Sequence, residues 1–343
     1  PGALPLAFQH LALLSDMADH ALRGALNIAA RGIPELPADM AHAPFVVLAL
    51  GRLGTQEMDF GSDADLLFVA DESLSPHDRE PWRRVAEQLI DIVSSQTRDG
   101  ILFPVDARLR PRGAEGDLVQ PASYLTEYLR QEAQGWEAAA FTKARPVAGN
   151  MELGKQIVSR VRLTLMERYR GQDGRAHLAE ELAHTRGRME TEGVSAAEPG
   201  ARGGAADYKS ITGGYYDVDY TLAYLRITSG ALSGDPSRPG QVIEKIAAFT
   251  GAPEEILAVL RDAAVFYRSL DHASRVFSGR PLTVAASPFV TIPRAAELAR
   301  LLGKWGAAGD APLESQLVET RRRVREVYER IVLSQARSRE PSA

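Results

Sequence analysis

The sequence predicts an α+β domain followed by an all-helical domain. Short apolar runs typical of buried strands fall before residue 150, where they alternate with segments of helical periodicity. After residue 150 nearly every segment has helical periodicity, and only one long Gly- and Ala-rich stretch interrupts it. We therefore expect one domain over 1–150, with helices at its start, and a helical domain over 151–343.

The elements of the first domain follow from apolar spacing and from the positions of glycine and proline. Residues 5–30 carry apolar side chains at helical spacing and predict one or two helices. A proline near its start and a glycine after its end support a helix over 81–100. The remaining predictions are strands at 45–50, 64–70 and 101–110, a helix at 124–140 and a strand or loop at 141–150.

The second domain is predicted to be a series of helices joined by short connections. The stretch 192–214 is expected to be a long loop, and loops of that length are usually functional or mobile. The basic run 319–331 is interpreted as the solvated face of a helix. The polar tail 334–343 is typical of a disordered C-terminus. The predicted helices are 152–170, 176–192, 217–229, 241–249, 253–277, 293–303 and 312–336.

Composition excludes several classes of protein. The chain has 343 residues, a net charge of −5 and no cysteine. Disulfides and thiolate metal sites are therefore impossible, and a cytoplasmic protein is expected. The acidic balance argues against a general nucleic-acid binder. No uncharged apolar stretch of about 18 residues occurs, so no membrane partner is expected.

Acidic residues at the beginning of one predicted strand suggest chemistry. Asp63 and Asp65 are two residues apart, so in a strand their side chains point to the same face. Two carboxylates that close raise each other's pKa unless a cation bridges them. Asp106, in the third predicted strand, is the candidate for a third ligand. Three carboxylates suit Mg²⁺ or Mn²⁺ and a two-metal site.

The residues around these acids favour a phosphate ligand. The turn from Gly51 to Gly54, which contains Arg52, would let the backbone approach a phosphate, and Ser62 could donate to a phosphate oxygen. Arg108 and Arg110 follow Asp106 on the same face and could grip a polyphosphate. Together these residues predict nucleotidyl transfer. The alternative is that Asp-x-Asp occurs by chance at a solvated surface.

The pattern resembles a known family. A strand, a Gly turn, Ser-Asp-x-Asp and a later strand Asp are similar to the DNA polymerase β-like nucleotidyltransferase superfamily. Four blocks resemble glutamine synthetase adenylyltransferase more narrowly, in the right order. They are "GRLGTQEMDFGSDADLLFV", "VDARLRPRGAEGDLV", "WEAAAFTKARPVAG" and "KSITGGYYDVDY".

The resemblance implies a fold and an activity. It implies a polymerase β-like domain with a mixed sheet, followed by a helical domain. That family carries two nucleotidyltransferase halves, one adenylylating a tyrosine of glutamine synthetase with ATP and one removing the AMP by phosphorolysis. This chain resembles one half, and "GGYYDVDY" favours the C-terminal adenylylating half. Regulation by the PII signal protein is implied in the same way.

The resemblance also suggests site residues. Asp63 and Asp65 would hold both metal ions, and Asp106 would share one and help to accept the tyrosine proton. Further residues are expected along the cleft, although Asp217 could instead be a helix N-cap. Those residues are Glu137, Lys143 and Arg145 on the nucleotide side, and Lys209, Asp217 and Asp219 beyond them.

The sequence departs from the family pattern at several positions. Thr55 and Gln56 replace the usual glycine and its neighbour, and Asp219 and Tyr220 stand where Glu and Phe are common. These changes bear on fine geometry rather than on the presence of activity. Three alternatives stay open: the phosphorolytic half, a uridylyltransferase relative, and a non-catalytic half that binds effectors or partners.

Overall fold

A computed structural model describes residues 5–37, 39–195, 205–232, 243, 246–248, 252–285 and 292–337. The chain divides into two compact units. One unit contains Leu11–Arg168. The other contains Tyr169–Ala231, the described residues after 239 and the first turn of the N-terminal helix.

The first unit is built on a mixed sheet. The strand order is β3-β2-β1-β5, and β4 also pairs with β2. β1 runs antiparallel to both β2 and β5, whereas β2 runs parallel to β3 and β4. The strands are β1 (Phe45–Ala49), β2 (Ala64–Ala70), β3 (Val105–Asp106), β4 (Val119–Pro121) and β5 (Arg145–Gly149).

Helices cover this sheet because its central strands are apolar on both faces. Every residue of β1 is buried, which explains why it reads as a continuous apolar run rather than an alternating one. Phe45 of β1 stacks on Trp82 with ring centroids 4.9 Å apart. The helices are α1 (Leu6–Arg31), α2 (Gly51–Gly54), α3 (Glu80–Ser94), α4 (Ala122–Gln131), α5 (Gly135–Phe141) and α6 (Met151–Arg168).

The second unit is mainly helical, as the sequence predicts. One small antiparallel pair, β6 with β7, accompanies the helices. None of the helices in the described part of the chain is both long and apolar enough to span a membrane. The elements are α7 (Gly171–Ser195), β6 (Ala205–Asp207), α8 (Tyr215–Ser229), α9 (Glu254–Ser278), β7 (Thr283–Ala285), α10 (Ala295–Lys304), α11 (Leu313–Tyr328), a π-helical turn (Glu329–Leu333) and α12 (Ser334–Arg337).

The boundary between the two units lies after Arg168 rather than at residue 150. The helix α6 belongs with the sheet because a glycine lets it pack closely there. A Cβ at Gly154 would lie 2.5 Å from Pro146 Cβ and 2.8 Å from Val46 Cγ2. Such a contact depends on residues far apart in the chain, so helical periodicity alone cannot assign α6 to a domain.

Several predicted elements differ in extent. The predicted strand 101–110 is only Val105–Asp106, next to Pro104, which has no N–H to donate to a ladder. The predicted helix 124–140 is two helices, α4 and α5, and the helix predicted over 81–100 ends at Ser94. The stretch 192–214 contains the end of α7 and the strand β6. Of the tail predicted to be disordered, 334–343, the first four residues form the helix α12. The rest of that tail, 338–343, and most of the helix predicted at 241–249 lie outside the described residues.

Candidate functional site

The sheet places two of the predicted acids side by side. Asp65 of β2 is the register partner of Asp106 of β3 in a parallel pair. Neighbouring strands lie about 4.8 Å apart, so the two Cα atoms are close. Asp63 lies one residue before β2 and is exposed. The predicted trio of acids is therefore gathered at the beginning of β2 and at β3.

Backbone hydrogen bonds on both sides fix the start of β2. Leu50 N–H donates to the carbonyl of Asp65 at 2.9 Å, and Ala64 N–H donates to the carbonyl of Pro104 at 2.8 Å. Ala64 and Leu66 are fully buried, whereas the side chain of Asp65 between them is only half-buried. Leu67, on the same face of β2, is fully buried, so Asp65 is partly exposed because it lies at the beginning of the strand, where its buried neighbours anchor it.

Gly51 has a steric reason to be glycine. Its φ is +50°, and a Cβ built on it would lie 1.9 Å from Oδ2 of Asp65. Gly54, at the other end of α2, has a similar constraint, since its Cβ would lie 2.3 Å from the carbonyl oxygen of Lys143. The predicted Gly turn therefore packs directly against the acid site on one side and Lys143 on the other.

Arg52 links this turn to Ser62. Its NH1 donates to Ser62 Oγ at 3.4 Å and lies 3.7 Å from Oδ2 of Asp59. The side chain of Asp59 is 1% exposed and that of Arg52 is 11% exposed. Asp59 was not predicted, because its burial is decided by the fold; the sequence signal that could have found it is an acid close to the Gly61-Ser62-Asp63 turn. The buried carboxylate orients the guanidinium towards Ser62.

Asp106 is held by Arg108. Nε of Arg108 donates to both Oδ1 and Oδ2 at 3.0 Å, NH2 donates to Oδ2 at 2.5 Å, and the Arg108 N–H donates to Oδ1 at 2.8 Å. This grip holds the pKa of Asp106 below its ordinary value. The hydrogen bond to Asp106 raises the pKa of Arg108, and the charges of Asp63 and Asp65 add to that effect.

Carboxylate oxygens are the type of ligand that a divalent cation prefers, and the backbones of Asp65 and Asp106 lie next to each other. Within the described part of the chain, however, no three Asp, Glu or His side chains are arranged as a metal-binding group. Asp106 faces Arg108, and its side chain is 16% exposed. Arg108 contacts Asp106, and the charges of Asp63 and Asp65 also act on its guanidinium, so the acids make this spot electrostatically negative.

Two predicted phosphate-binding arginines have structural contacts instead. Arg110 donates from all three guanidinium nitrogens to backbone carbonyls of its own loop, those of Gly116, Ala107 and Ala114. Arg145 forms an ion pair with the buried Asp19 of α1, at 2.6 Å, and also donates to the carbonyl of Leu53. Sequence position could not reveal the partner of Arg145, because Asp19 is far away in the chain.

Glu137 is also satisfied locally. It belongs to a capping box at the start of α5, where its Oε2 accepts from Gln134 N–H at 2.8 Å. Its Oε1 accepts from the hydroxyl of Tyr128 at 2.7 Å, and Glu137 is buried. Burial and this carboxylate raise the pKa of Tyr128. These contacts give Glu137 a structural role at the beginning of α5.

The residues predicted beyond the first unit lie in the second. Asp217 is fully buried at the third position of α8, whose N-cap is Gly214, so the N-cap interpretation is wrong. Its carboxylate pairs with Arg186 Nε at 2.5 Å and accepts from Gly213 N–H at 2.9 Å. Arg325 approaches the same carboxylate at 3.4 Å.

This ionic cluster, formed by Asp217, Arg186, Arg325 and Glu190, joins α7, α8 and α11. Arg186 also donates to the carbonyls at 210 and 211. Arg186 and Arg325 were not predicted, because in the sequence each looks like an ordinary arginine on a polar helix. Lys209 N–H donates to Asp207 Oδ1 at 3.0 Å, and Asp219 is half-buried on α8.

Comparison with known proteins supports one family. A sequence model of the family "Glutamate-ammonia ligase adenylyltransferase" matches residues 6–159. The matched range contains the sheet, the three acids, α1 to α5 and the first half of α6. The sequence resemblance noted above is therefore found independently over this unit.

Curated relatives extend the similarity beyond the first unit. Three proteins named bifunctional glutamine synthetase adenylyltransferase/adenylyl-removing enzyme serve as examples. That of Chromobacterium violaceum is 31% identical over 84% of this chain and 31% of its own length. Those of Rhodopseudomonas palustris and Streptomyces avermitilis are 29% and 30% identical over 83% and 78% of this chain.

The chain covers only part of these relatives. It spans 28% of the Rhodopseudomonas protein and 26% of the Streptomyces protein, or about a third of each relative's length at most. The match therefore concerns a segment of a longer type of protein. Over residues 6–159, a little less than half of its length, the chain is similar to the glutamate-ammonia ligase adenylyltransferase family.

Proposed function

We propose that this chain is a nucleotidyltransferase of the polymerase β-like type that transfers AMP from ATP to a tyrosine of glutamine synthetase. One observation carries the proposal: Asp65 and Asp106 are paired on adjacent parallel strands, with Asp63 at the beginning of the same strand. The family match over 6–159 and the names of the relatives support the substrate. The PII signal protein is a further proposed partner, by resemblance alone.

The proposed reaction depends on a divalent cation. Asp63, Asp65 and Asp106 would hold Mg²⁺ or Mn²⁺, because carboxylate oxygens are the ligands that these ions prefer. When bound, such an ion would neutralise charge on the triphosphate and on the leaving pyrophosphate. Arg108 and the pair formed by Arg52 and Ser62 lie beside the acids and would contact the phosphates.

The chemistry is a single displacement at phosphorus. The tyrosine oxygen forms a bond to the α-phosphorus, the bond to the bridging oxygen breaks, and pyrophosphate leaves. The tyrosine hydroxyl has an ordinary pKa of about 10 and must lose its proton. A carboxylate oxygen of Asp106 would accept that proton, since Asp106 lies beside Asp65 in the sheet and its carboxylate is partly exposed.

The reverse type of reaction is the second candidate. The printed names of the relatives combine adenylyltransferase with adenylyl-removing activity. In removal, inorganic phosphate attacks the phosphorus of the tyrosine-linked AMP, tyrosine leaves and ADP forms. The same three carboxylates would serve both reactions, because in each transition state negative charge develops on the oxygens around the same phosphorus. The choice between the two halves therefore requires a direct assay.

The test uses the complete chain. We would incubate it with α-labelled ATP, Mg²⁺ and unmodified glutamine synthetase, beside Asp63→Asn and Asp65→Asn. Asp91→Asn, which removes an exposed acid on α3, is the matched control. Label on a glutamine synthetase tyrosine, lost in both site variants and retained in the control, is the expected result.

The reverse assay decides between the candidates. Phosphate and AMP-modified glutamine synthetase would be supplied, and ADP would be measured. Release of ADP without forward labelling would replace the first candidate by the second. If neither labelling nor ADP release is detected, both candidates are contradicted and a non-catalytic binding module is favoured. A cooperative unfolding transition would show that the chain used in these assays is folded.

A further inference from the structure

We infer that Phe60, Ile101 and Leu102 form a docking patch for the protein that carries the acceptor tyrosine. The docking patch lies at the edge of the sheet where the three acids are gathered. Its occupant is an apolar segment beside that tyrosine on glutamine synthetase. The inference rests on the proposed function, because it requires a protein substrate at this edge.

The three side chains of the docking patch are large, apolar and exposed. Phe60 is 51% exposed, Ile101 44% and Leu102 64%. Exposed apolar residues that occur singly are ordinary on soluble proteins. A group of them beside polar residues is instead typical of a surface that contacts another molecule. Here the polar neighbours are Ser62 and Asp63, which follow Phe60 closely in the chain.

Parallel pairing brings the two loops that carry the docking patch to one edge of the sheet. β2 and β3 run parallel, with Ala64 opposite Val105. Phe60 lies four residues before the start of β2, and Leu102 lies three before the start of β3. Segments that lead into two neighbouring parallel strands arrive from the same side of the sheet. The docking patch therefore borders the three acids.

Phe60 is carried by a turn that is fixed from within. Its N–H donates to Oδ1 of Asp59 at 2.8 Å, and Asp59 is buried. Ser62 N–H donates to the carbonyl of Asp59 at 3.0 Å, which closes the turn. A side chain on such a backbone has little freedom left to lose when a partner covers it, so more of its contact energy contributes to affinity.

The loop before β3 is anchored in a similar way. Phe103 is buried, and its N–H donates to the carbonyl of Val93 on α3 at 3.3 Å. The carbonyl of Pro104 accepts from Ala64 N–H at 2.8 Å. Leu102 is thus exposed directly beside a residue that is anchored in the core.

The form of the docking patch favours a protein over a small ligand. Small molecules bind in concave pockets that bury most of their surface. The side chains of the docking patch are instead exposed, and aromatic side chains of this kind are typical anchors of protein–protein interfaces. The proposed reaction brings a protein to this edge, because its acceptor is a tyrosine of glutamine synthetase.

The test measures affinity for the protein substrate separately from affinity for the nucleotide. Unmodified glutamine synthetase would be titrated in solution against the fluorescently labelled full chain, and a non-hydrolysable ATP analogue would be titrated by calorimetry. The variants are Phe60→Ala, Leu102→Ala and Phe60→Leu. The matched control is Leu163→Ala on α6, which removes an apolar side chain of similar exposure, 52%.

A selective loss of affinity for glutamine synthetase is expected. Phe60→Ala and Leu102→Ala should each weaken its binding by about tenfold, as the loss of an interface anchor does. The KM for glutamine synthetase should rise by a similar factor, while kcat and the affinity for the ATP analogue stay unchanged. Phe60→Leu keeps an apolar side chain and should retain most of the affinity, and Leu163→Ala should match the wild type. Urea unfolding of every variant should resemble that of the wild type, because surface substitutions change stability little.

Three results would overturn the inference and leave the proposed function in place. The first is AMP transfer by the wild type with an unchanged KM for glutamine synthetase in Phe60→Ala and Leu102→Ala. The second is an equal loss of affinity in Leu163→Ala, which would mean nonspecific adhesion of apolar surface. The third is a loss of affinity for the ATP analogue instead, which would assign the docking patch to the nucleotide.

Two further results concern the occupant itself. Concentration-dependent dimers of the wild type that are lost in Phe60→Ala, without any change in affinity for glutamine synthetase, would identify a second copy of the chain as the occupant and overturn the inference. If the wild-type chain neither binds glutamine synthetase nor transfers AMP to it or from it, the proposed function fails and the inference fails with it.

Discussion

Asp65 and Asp106 are register partners on adjacent parallel strands, although α3 separates their strands in sequence. Their Cα atoms are placed side by side by the Ala64–Val105 and Asp65–Asp106 pairings of one short ladder. Only two residues of β3 take part in it. The hydrogen bond from Ala64 N–H to the carbonyl of Pro104 extends this pairing by one residue and helps to hold the two strands in register.

Asp106→Asn should reduce AMP transfer by about 100-fold or more, the usual range for loss of a general base. The amide keeps the shape of the side chain but neither accepts the proton nor binds a cation well. Initial rates at saturating ATP and glutamine synthetase would measure the effect, with Asp91→Asn as the control. A rate within about threefold of wild type would show that Asp106 has no role in proton transfer.

Gly51→Ala should destabilise the first unit and reduce metal affinity. Its φ of +50° disfavours a side chain, and the new Cβ would lie 1.9 Å from Asp65 Oδ2. Strain of this kind costs about 1–3 kcal/mol. Urea unfolding of the two proteins would measure the loss, and Mn²⁺ titration would report displacement of Asp65.

Gly24→Ala is the matched control for that experiment. It lies within α1, and a Cβ there would have nothing within 4 Å. Alanine in place of an exposed helical glycine should stabilise the protein by about 0.5–1 kcal/mol. Equal behaviour of the two alanine variants would contradict the steric explanation for Gly51.

Asp19→Ala should destabilise the first unit because it leaves Arg145 without its buried partner. The two side chains are 7% and 13% exposed and are joined at 2.6 Å. Removing one member of a buried pair typically costs about 3–5 kcal/mol. Unfolding by urea would measure this loss, with Asp16→Ala, an exposed acid on the same helix, as the control.

The same pair tests whether Arg145 binds nucleotide. If its role is structural, Arg145→Ala should lose as much stability as Asp19→Ala, and both variants should keep their affinity for the ATP analogue while folded. A selective loss of nucleotide affinity in Arg145→Ala, with Asp19→Ala unaffected, would restore the nucleotide-binding prediction.

Asp217→Ala should destabilise the helical unit. Its fully buried carboxylate holds Arg186 and Gly213 N–H, so its removal leaves a buried guanidinium with too few acceptors. The expected loss is about 3–5 kcal/mol. Hydrogen exchange would locate the loss in α7, α8 and α11, and Asp262→Ala, an exposed acid on α9, should change little. Unchanged exchange in those helices would contradict a structural role for the cluster.

His10 should make stability depend on pH. Burial, together with the neighbouring His272, lowers the pKa of His10 below its ordinary value of 6.5. The unfolded chain therefore binds more protons than the folded one, and the free energy of unfolding falls as the pH drops below about 6.5. His10→Gln should flatten this dependence between about pH 6.5 and 5. Thermal melts across that range would measure it, and an unchanged slope would contradict the assignment.

Local patterns predicted most of the elements because they depend on neighbouring residues. Helical periodicity located α1 and α9 closely, and the continuous apolar run at 64–70 matches β2. Local periodicity also predicted the helical second part, whereas the mixed sheet was implied by the family resemblance. β4 was missed because three residues that pair with a distant strand carry no periodic signal of their own.

The candidate site was predicted as a set of residues but not as a set of contacts. The alternation of a strand predicted that Asp63 and Asp65 share one face, although β2 begins only at Ala64. It could not show that Arg108 donates to the carboxylate of Asp106, or that Arg110 donates to backbone carbonyls of its own loop. Guanidinium groups reach far and accept any nearby oxygen, so their partners are decided by which carbonyls and carboxylates the fold brings near.

By itself, the sequence determined the order of the elements, the three acids and the family pattern, since each of these depends on spacing along the chain. Only the tertiary structure decided the partner of each charge. Asp217, Arg145 and Glu137 were predicted to line the cleft, and the structure adds partners that spacing could not reveal: Arg186, Asp19 and Tyr128. A buried charge needs a partner, and folding brings that partner from a distant segment.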